Sequence, residues 1–177
     1  MREIKTPISD EVIVGLNSGD MVSITGKIYT ARDAAHKEIA ALMEAGKKPP
    51  FDFEGQAVFY AGPAPARPGR SIGSVGPTTA GRMDLYAPMF ISKGLKIMIG
   101  KGLRSKEVVE AIVNYQGIYF AAIGGVAALM AKRVISARVI AFEELGTEAV
   151  MELEVEKFPV VVAIDCRGRN IYERKQL

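Results

Sequence analysis

The residues that usually build disulfides and metal centres are almost absent from this chain of 177 residues. It contains one cysteine, Cys166, one histidine, His36, and no tryptophan. A single thiol cannot form an intramolecular disulfide, and it cannot hold a zinc ion or an iron–sulfur cluster alone. A single imidazole likewise excludes a histidine-rich metal site. The composition therefore predicts no metal bound by this chain's own residues.

Long apolar runs and blocks of like charge are missing as well. No hydrophobic stretch approaches the ~20 residues that cross a bilayer, and residues 1–15 lack the apolar segment of a signal peptide. The net charge of +3 is spread along the chain, and aromatic residues make up only 7%. The basic stripe and stacking platforms of nucleic-acid-binding proteins are therefore not indicated. We expect a cytoplasmic protein without a membrane or nucleic-acid partner; weak, salt-sensitive binding to nucleic acid is the least supported alternative.

The remaining composition is that of an ordinary globular protein. Hydrophobic residues make up 49% and charged residues 24%, and the length suits one domain spanning residues 1–177. Segments with strand-like alternation and segments with helical periodicity follow one another. Strands are predicted over 21–30, 56–62, 95–102, 117–124, 137–144, 148–158 and 160–168, and helices over 31–46, 78–94, 105–116 (capped by Ser105) and 125–134. Strands and helices alternate in the first part of the chain, and strands alone follow in the last part. This order predicts an α/β fold with a mixed sheet.

Cations stand at several junctions between these elements, where α/β proteins commonly bind ligands. Arg32 falls in the first turn of its helix, where a cation opposes the helix dipole unless an acidic partner or a bound anion compensates. His36 is four residues further and shares the face of Arg32. An ion pair with a glutamate elsewhere accounts equally for Arg32, and a capping or solvated histidine accounts for His36. Lys101 stands at the carboxyl end of a strand between Gly100 and Gly102, and an ordinary turn lysine is the alternative interpretation. The segment lacks the spacing of a P-loop, so nucleotide binding is only weakly supported.

The segment GPTTAGRMD, residues 76–84, is the most distinctive of these junctions. Its glycine and proline predict a turn, and Thr78 or Thr79 is suited to cap a helix. Arg82 lies one turn beyond Thr78 on the same face. A carboxylate bound to the helix N–H groups would then be within reach of the Arg82 guanidinium. A capped helix with a surface arginine fits the stretch equally well.

A further junction carries Gly124 and Gly125, for which close packing is the simpler explanation and backbone contact with an anion the alternative. Arg32, Arg82 and Lys101 remain as three cations at element ends, able to converge on one polyanionic small molecule. The residues show no carboxylate pair, no nucleophile–base pair and no cluster of metal ligands. Taken alone, the chain therefore offers residues for binding an anion but lacks the catalytic groups of a complete active site.

Five segments, taken together and in this order, resemble one known family: TGKIYTARDAAHK, FYAGP, SIGSVGPTTAGRMD, GKG and EVEKFPVVVAID. They are similar to the β subunit of the iron–sulfur hydro-lyases, which comprise the class I fumarases and the L(+)-tartrate dehydratases. The likeness runs roughly from Met1 to Asp165. It implies a swivelling-type β/β/α domain with a mixed sheet. It also implies a partner α subunit whose three cysteines hold a 4Fe–4S cluster, so that this chain would close over the cluster-bearing partner without binding the cluster itself.

The same resemblance implies roles for individual residues in the reversible addition of water to the double bond of a dicarboxylate. Thr78 falls on the proposed base, and Arg32, Arg82 and Lys101 fall on contacts to the substrate carboxylates. His36 falls on a histidine that would carry a proton or orient Arg32. The form AGRMD favours fumarate and malate over tartrate. The alternatives are a tartrate dehydratase β subunit and a non-catalytic module whose three cations hold a carboxylate or phosphate metabolite.

Overall fold

Strands and helices alternate along residues 1–122 and 127–173, the part of the chain that the computed structural model describes. The strands are β1 Arg2–Lys5, β2 Met21–Thr30, β3 Ala57–Phe59, β4 Ile97–Gly100, β5 Ile118–Ala122, β6 Val134–Ala141 and β7 Val150–Ile164. The α-helices are α1 Asp10–Val14, α2 Asp33–Glu44, α3 Ala87–Ser92, α4 Lys106–Tyr115 and α5 Ala127–Ala131. Short 3-10 helices occupy Ala80–Met83, Glu143–Glu148 and Ile171–Glu173. The predicted bounds of β2 are confirmed, and so is the predicted capping of α4 by Ser105, whose side chain accepts from the Val108 N–H.

The strands form a single mixed sheet in the order β1-β2-β3-β4-β5-β7-β6. Strands β1 to β5 run parallel to their neighbours, whereas β7 is antiparallel to β2, β5 and β6. Because β7 pairs with β2 as well as with β5, the sheet closes on itself. The closed ring consists of β2, β3, β4, β5 and β7. The predicted α/β class with a mixed sheet is confirmed.

The strand β7 runs unbroken through the two segments, 148–158 and 160–168, that the sequence pattern divides. The predicted division is therefore wrong. Lys157 has a left-handed φ of 50°, and the pairing register on β2 shifts between Ile24 and Gly26. A bulge of this kind bends a strand without ending it, and it accommodates the missing N–H of Pro159. The bend lets one strand pair with β6 in its first half and with β5 in its second.

Alternate residues of the central strands are buried on opposite faces of the sheet. Ile97 and Ile99 of β4 belong to one apolar cluster, whereas Met98 between them belongs to a second. The second cluster contains the buried faces of α2, α3 and α4, including Ile39, Phe90 and Ile112. Strands covered on both faces read as continuous hydrophobic runs, as β4 does. The polar ends of these strands are therefore where the chain can present functional side chains.

The α-helix predicted from Thr78 to Gly94 is wrong in its first half. The structure has a 3-10 helix, Ala80–Met83, and α3 begins only at Ala87. Thr79 occupies the N-cap position, but its side chain makes no capping hydrogen bond. The cause is tertiary: Thr79 forms a parallel bridge with Lys101, which holds the backbone on an extended path before it can turn into an α-helix.

None of the helices among the described residues is long and apolar enough to cross a bilayer. Gly124 and Gly125, the glycine turn noted in the sequence, lie outside the described residues.

Candidate functional site

The polar residues singled out by the sequence follow the carboxyl ends of neighbouring parallel strands. Arg32 comes two residues after the end of β2, and Lys101 comes directly after β4. The loop that carries Thr78 and Arg82 lies between β3 and β4 in the chain. Because β2, β3 and β4 are parallel and adjacent, these ends share one edge of the sheet, and the mouths of closed sheets and the carboxyl ends of parallel strands are common places for ligand sites.

Backbone hydrogen bonds bring Thr78 and Lys101 together. The Thr78 N–H donates to the Tyr60 carbonyl at 2.6 Å, and the Lys101 N–H donates to the Thr78 carbonyl at 3.3 Å. The Ala80 N–H donates to the Lys101 carbonyl at 2.8 Å. The N–H groups of Thr78 and Ala80 are therefore already used by carbonyl oxygens and are not available to a carboxylate.

Asp33 brings the two arginines together. Its carboxylate forms an ion pair with the Arg82 guanidinium, and it lies 3.9 Å from the Arg32 Nε. Arg32 also lies 3.5 Å from Glu148, so the ion pair with a distant glutamate, noted as an alternative in the sequence, is present. The Arg32 side chain is 25% exposed and that of Arg82 is 51% exposed. Both arginine side chains therefore keep part of their surface in contact with solvent.

Lys101 completes the cationic edge. It is exposed, and it forms no ion pair within the described ranges 1–122 and 127–173. On the other side, Arg32 packs against Gly62, where an added Cβ would lie 3.0 Å from the Arg32 Cδ. Gly62 is two residues beyond Tyr60, which accepts the Thr78 N–H. Arg32, Thr78, Arg82 and Lys101 are therefore assembled at one place.

His36 lies behind this edge and not on it. It is 1% exposed and packs among the rings of Tyr60, Tyr86 and Phe90. Its Nδ1 is 2.8 Å from the Arg32 carbonyl oxygen; since a carbonyl only accepts, Nδ1 carries the proton. Burial lowers the pKa of His36 from 6.5 to about 4, so the imidazole is neutral at physiological pH. Its contact with Arg32 is through the backbone.

Arg104 is one residue of this region that sequence reasoning missed, and Asp33, which contacts both arginines, is another. The Arg104 side chain is fully buried, and its Nε lies 2.7 Å from the Asp84 carboxylate. The guanidinium also donates to the Tyr60 hydroxyl at 3.3 Å, and it lies over the rings of Tyr60 and Tyr119. Arginine is almost never buried without such partners. Nothing in a single sequence distinguishes this arginine from a surface one, because its partners come from distant segments.

Comparison with known proteins decides the family. A model of the family described as the fumarase C-terminus matches residues 2–175. The chain belongs to this fumarase C-terminus family.

Relatives of two lengths are found in the fumarase C-terminus family. Fumarate hydratase 2 of Leishmania major is 41% identical over 177 residues, covering 97% of this chain and 31% of its own length. The anaerobic class I fumarate hydratase of Escherichia coli is 41% identical over 155 residues, covering 86% of this chain and 29% of its own length. The L(+)-tartrate dehydratase subunit beta of Escherichia coli is 34% identical over 181 residues, covering 98% of this chain and 88% of its own length. The chain thus spans about three tenths of the fumarate hydratases but most of the tartrate dehydratase subunit.

Proposed function

We propose that this chain is the β subunit of an iron–sulfur hydro-lyase that reversibly hydrates fumarate to L-malate. The observation that carries the proposal is the assembly of three cations and a threonine at one sheet edge, in a chain of the fumarase C-terminus family. Two guanidinium groups and one ammonium group suit a substrate with two carboxylates. Guanidinium binds carboxylate through paired hydrogen bonds, which fixes orientation as well as charge.

Substrate binding requires Arg82 to exchange one carboxylate for another. In the structure Asp33 forms an ion pair with Arg82, and both side chains are partly exposed. Exposed ion pairs of this kind contribute about 0.2–1 kcal/mol. A substrate carboxylate held by Arg32, Arg82 and Lys101 together can therefore displace Asp33 without a large penalty.

Thr78 is the residue we assign to proton transfer. In malate dehydration the C3 proton leaves to a base and the C2 hydroxyl leaves with a second proton as water. A threonine hydroxyl is a weak base near neutral pH, and nearby positive charge favours its ionised form. The Lys101 backbone N–H donates to the Thr78 carbonyl, so Lys101 is held next to Thr78 in the fold, and we infer that its ammonium group and the two arginines supply the positive charge. This electrostatic setting supports Thr78 as the base.

For His36 we propose the orienting role and not the proton-carrying role. It has almost no contact with solvent, and its Nδ1 donates to the Arg32 carbonyl at the start of α2. Burial also keeps its pKa near 4, too low for a group that must gain and lose a proton at neutral pH. His36 would then act through the position of Arg32.

An iron–sulfur cluster does not fit the residues of this chain. Cys166 is buried just beyond β7, and no group of three or more His, Cys, Asp or Glu suited to a metal ion occurs among residues 1–122 and 127–173. We therefore propose that a 4Fe–4S cluster is held by a separate α subunit. The active site would lie between the two subunits, in the cytoplasm.

The experiment that tests this function is an anaerobic assay of the two chains. L-malate is given to this chain mixed with a cluster-loaded α subunit, and fumarate formation is followed by ultraviolet absorbance. We expect turnover that requires both chains. Absence of turnover with a demonstrably loaded partner would refute the proposal and favour a module that only binds carboxylates.

L(+)-tartrate dehydration is the second candidate function. It is favoured by the Escherichia coli tartrate dehydratase subunit, which this chain matches over 88% of that subunit's length. L(+)-tartrate is therefore run in parallel in the same assay. Turnover of tartrate but not of malate would support the proposed site residues and would identify tartrate as the substrate.

A further inference from the structure

A buried ion pair connects the two loops that carry the candidate site. Asp84 is two residues beyond Arg82, and Arg104 is three residues beyond Lys101. Their side chains meet at 2.7 Å, with the Arg104 side chain fully buried. The second carboxylate oxygen of Asp84 accepts the Ser105 N–H at 2.5 Å. The loop after β4 is therefore attached to the GPTTAGRMD segment by both oxygens of one carboxylate.

The surroundings of Arg104 fix its orientation. The guanidinium centre lies 5.2 Å from the ring centroid of Tyr60 and 4.9 Å from that of Tyr119. One amino group reaches the Tyr60 hydroxyl, and the other reaches the Met98 sulfur at 3.4 Å. Every nitrogen of the guanidinium thus has a partner. The planar fork and the two flanking rings allow one placement, which a flexible lysine would not have.

The same partners lead back to the candidate site. Tyr60, whose hydroxyl binds Arg104, also accepts the Thr78 N–H through its carbonyl. Tyr119, on the other side of the guanidinium, donates to the Gly102 carbonyl at 3.1 Å, next to Lys101. Asp84, Arg104, Tyr60 and Tyr119 thus form one largely buried cluster. Each of the site residues Thr78, Arg82 and Lys101 is either near a member of this cluster in sequence or hydrogen-bonded to one.

Stability alone is a weak reason for such a pair. Removing two charges from water is costly, and apolar residues of similar volume often serve a core equally well or better. A buried polar group can instead specify one arrangement among several. We propose that Asp84 and Arg104 are positioning residues that hold Thr78, Arg82 and Lys101 in register across the two loops. The effect of this positioning role on turnover rests on the proposed function, whereas its effect on the register of the two loops does not.

Hydrogen exchange followed by NMR, on the chain with its amide resonances assigned, tests directly whether the two loops are held in register. The readouts are the amides of Ala80 and Lys101, whose hydrogen bonds join the two loops, and the amides of the β2–β7 ladder serve as reference. In Asp84→Asn we expect Ala80 and Lys101 to exchange about tenfold faster or more relative to the reference, the order that follows loss of a charge-assisted hydrogen bond. A fall in protection spread evenly over all amides would overturn the proposal.

The matched control is Asp165→Asn. The Asp165 side chain is fully buried and, like Asp84, pairs with an arginine at 2.7 Å, in this case Arg169. Its other hydrogen bonds come from the N–H groups of Ser18, Arg167 and Arg169, none of which belongs to either loop. We expect Asp165→Asn to lower stability without selective exchange at Ala80 and Lys101. Equal selectivity in both variants would contradict a specific role for Asp84.

A double variant separates positioning from stability. Asp84→Asn leaves the Arg104 charge buried without its charged partner, whereas Asp84→Asn with Arg104→Met also removes that charge and puts an apolar side chain in its place. We expect the double variant to melt at a higher temperature than Asp84→Asn while Ala80 and Lys101 still exchange rapidly. Recovery of both melting temperature and protection would show a role in stability alone.

Turnover of the assembled enzyme gives the functional arm. We expect both Asp84 variants to lower kcat/KM by roughly 10²-fold, the order produced by small misplacements of reacting groups, while Asp165→Asn stays close to the wild type. Near-normal turnover in the double variant would overturn the proposal. If the wild type itself shows no hydro-lyase activity, the proposed function fails, and the exchange measurements still decide the positioning role.

Discussion

Acid should destabilise this protein through one identifiable group, His36. The imidazole is buried among three aromatic rings, and burial lowers its pKa from 6.5 to about 4. The unfolded chain therefore binds a proton below about pH 6.5, whereas the native protein binds it only near pH 4. Between these values the unfolded state holds more protons, so the free energy of unfolding falls as the pH falls.

The magnitude follows from the two pKa values. Each unit of difference corresponds to about 1.4 kcal/mol, so lowering the pKa from 6.5 to about 4 amounts to roughly 3 kcal/mol. This contribution is fully present above pH 6.5 and is lost progressively toward pH 4. It is a large fraction of the 5–15 kcal/mol that is typical of folded proteins.

The assay is urea unfolding at several pH values between 4.5 and 7.5, for the wild type and for His36→Asn. Carboxylates also titrate in acid, so the difference between the two proteins isolates His36. We expect the wild type to lose about 2–3 kcal/mol more than the variant across this range. Because the chain has one histidine, its Hε1 proton gives a single resonance to follow by NMR in the native state.

Two results would refute the reasoning. One is a native-state His36 titration close to pH 6.5, which would mean that the ring is hydrated. The other is the same pH dependence of unfolding in the wild type and in His36→Asn. Either result would also reopen the proton-carrying role for His36.

Three further predictions concern the site in the assembled enzyme and are measured by steady-state kinetics. Thr78→Ala should lower kcat by about 10²–10⁴-fold, the usual contribution of an acid–base group, with little change in KM; near-normal kcat would exclude Thr78 as the base. Arg82→Ala should lower kcat/KM by roughly 10²-fold or more, as loss of a charged donor to the reacting substrate does, and an unchanged kcat/KM would exclude the contact. Asp33→Asn should lower KM by about two- to fivefold because it removes the competing carboxylate from Arg82, whereas a raised KM would show that Asp33 prepares Arg82 for binding.

The parts of the fold that were predictable from sequence are those governed by local rules. The alternation of β-branched and polar residues from Met21 to Thr30 marks β2 to the residue, and Ser105 caps α4 as its position suggests. The sequence also predicts Lys101 at the end of a strand, as the structure has it. Arg32 is predicted in the first turn of its helix, whereas the structure makes it the N-cap, one residue before α2 begins. These signals depend only on neighbouring residues, so a single chain carries them.

The parts that were not predictable depend on contacts between distant segments. The bridge between Thr79 and Lys101 turns a predicted α-helix into a 3-10 helix. The bulge at Lys157 keeps β7 continuous through Pro159. Arg104 is buried because Asp84, Tyr60 and Tyr119 converge on it. No local pattern reports such convergence, and in each case the tertiary partner overrides the propensity of the segment.

The pairing of β2 with β7 also has a consequence for how the chain is synthesised. Met21 pairs with Val161 and Thr30 with Met151, so the ring of strands closes only after the last strand has left the ribosome. Until then β2 exposes an unpaired edge, and such edges are sites of aggregation during synthesis. A nascent chain halted before residue 150 should therefore be the species that chaperones protect.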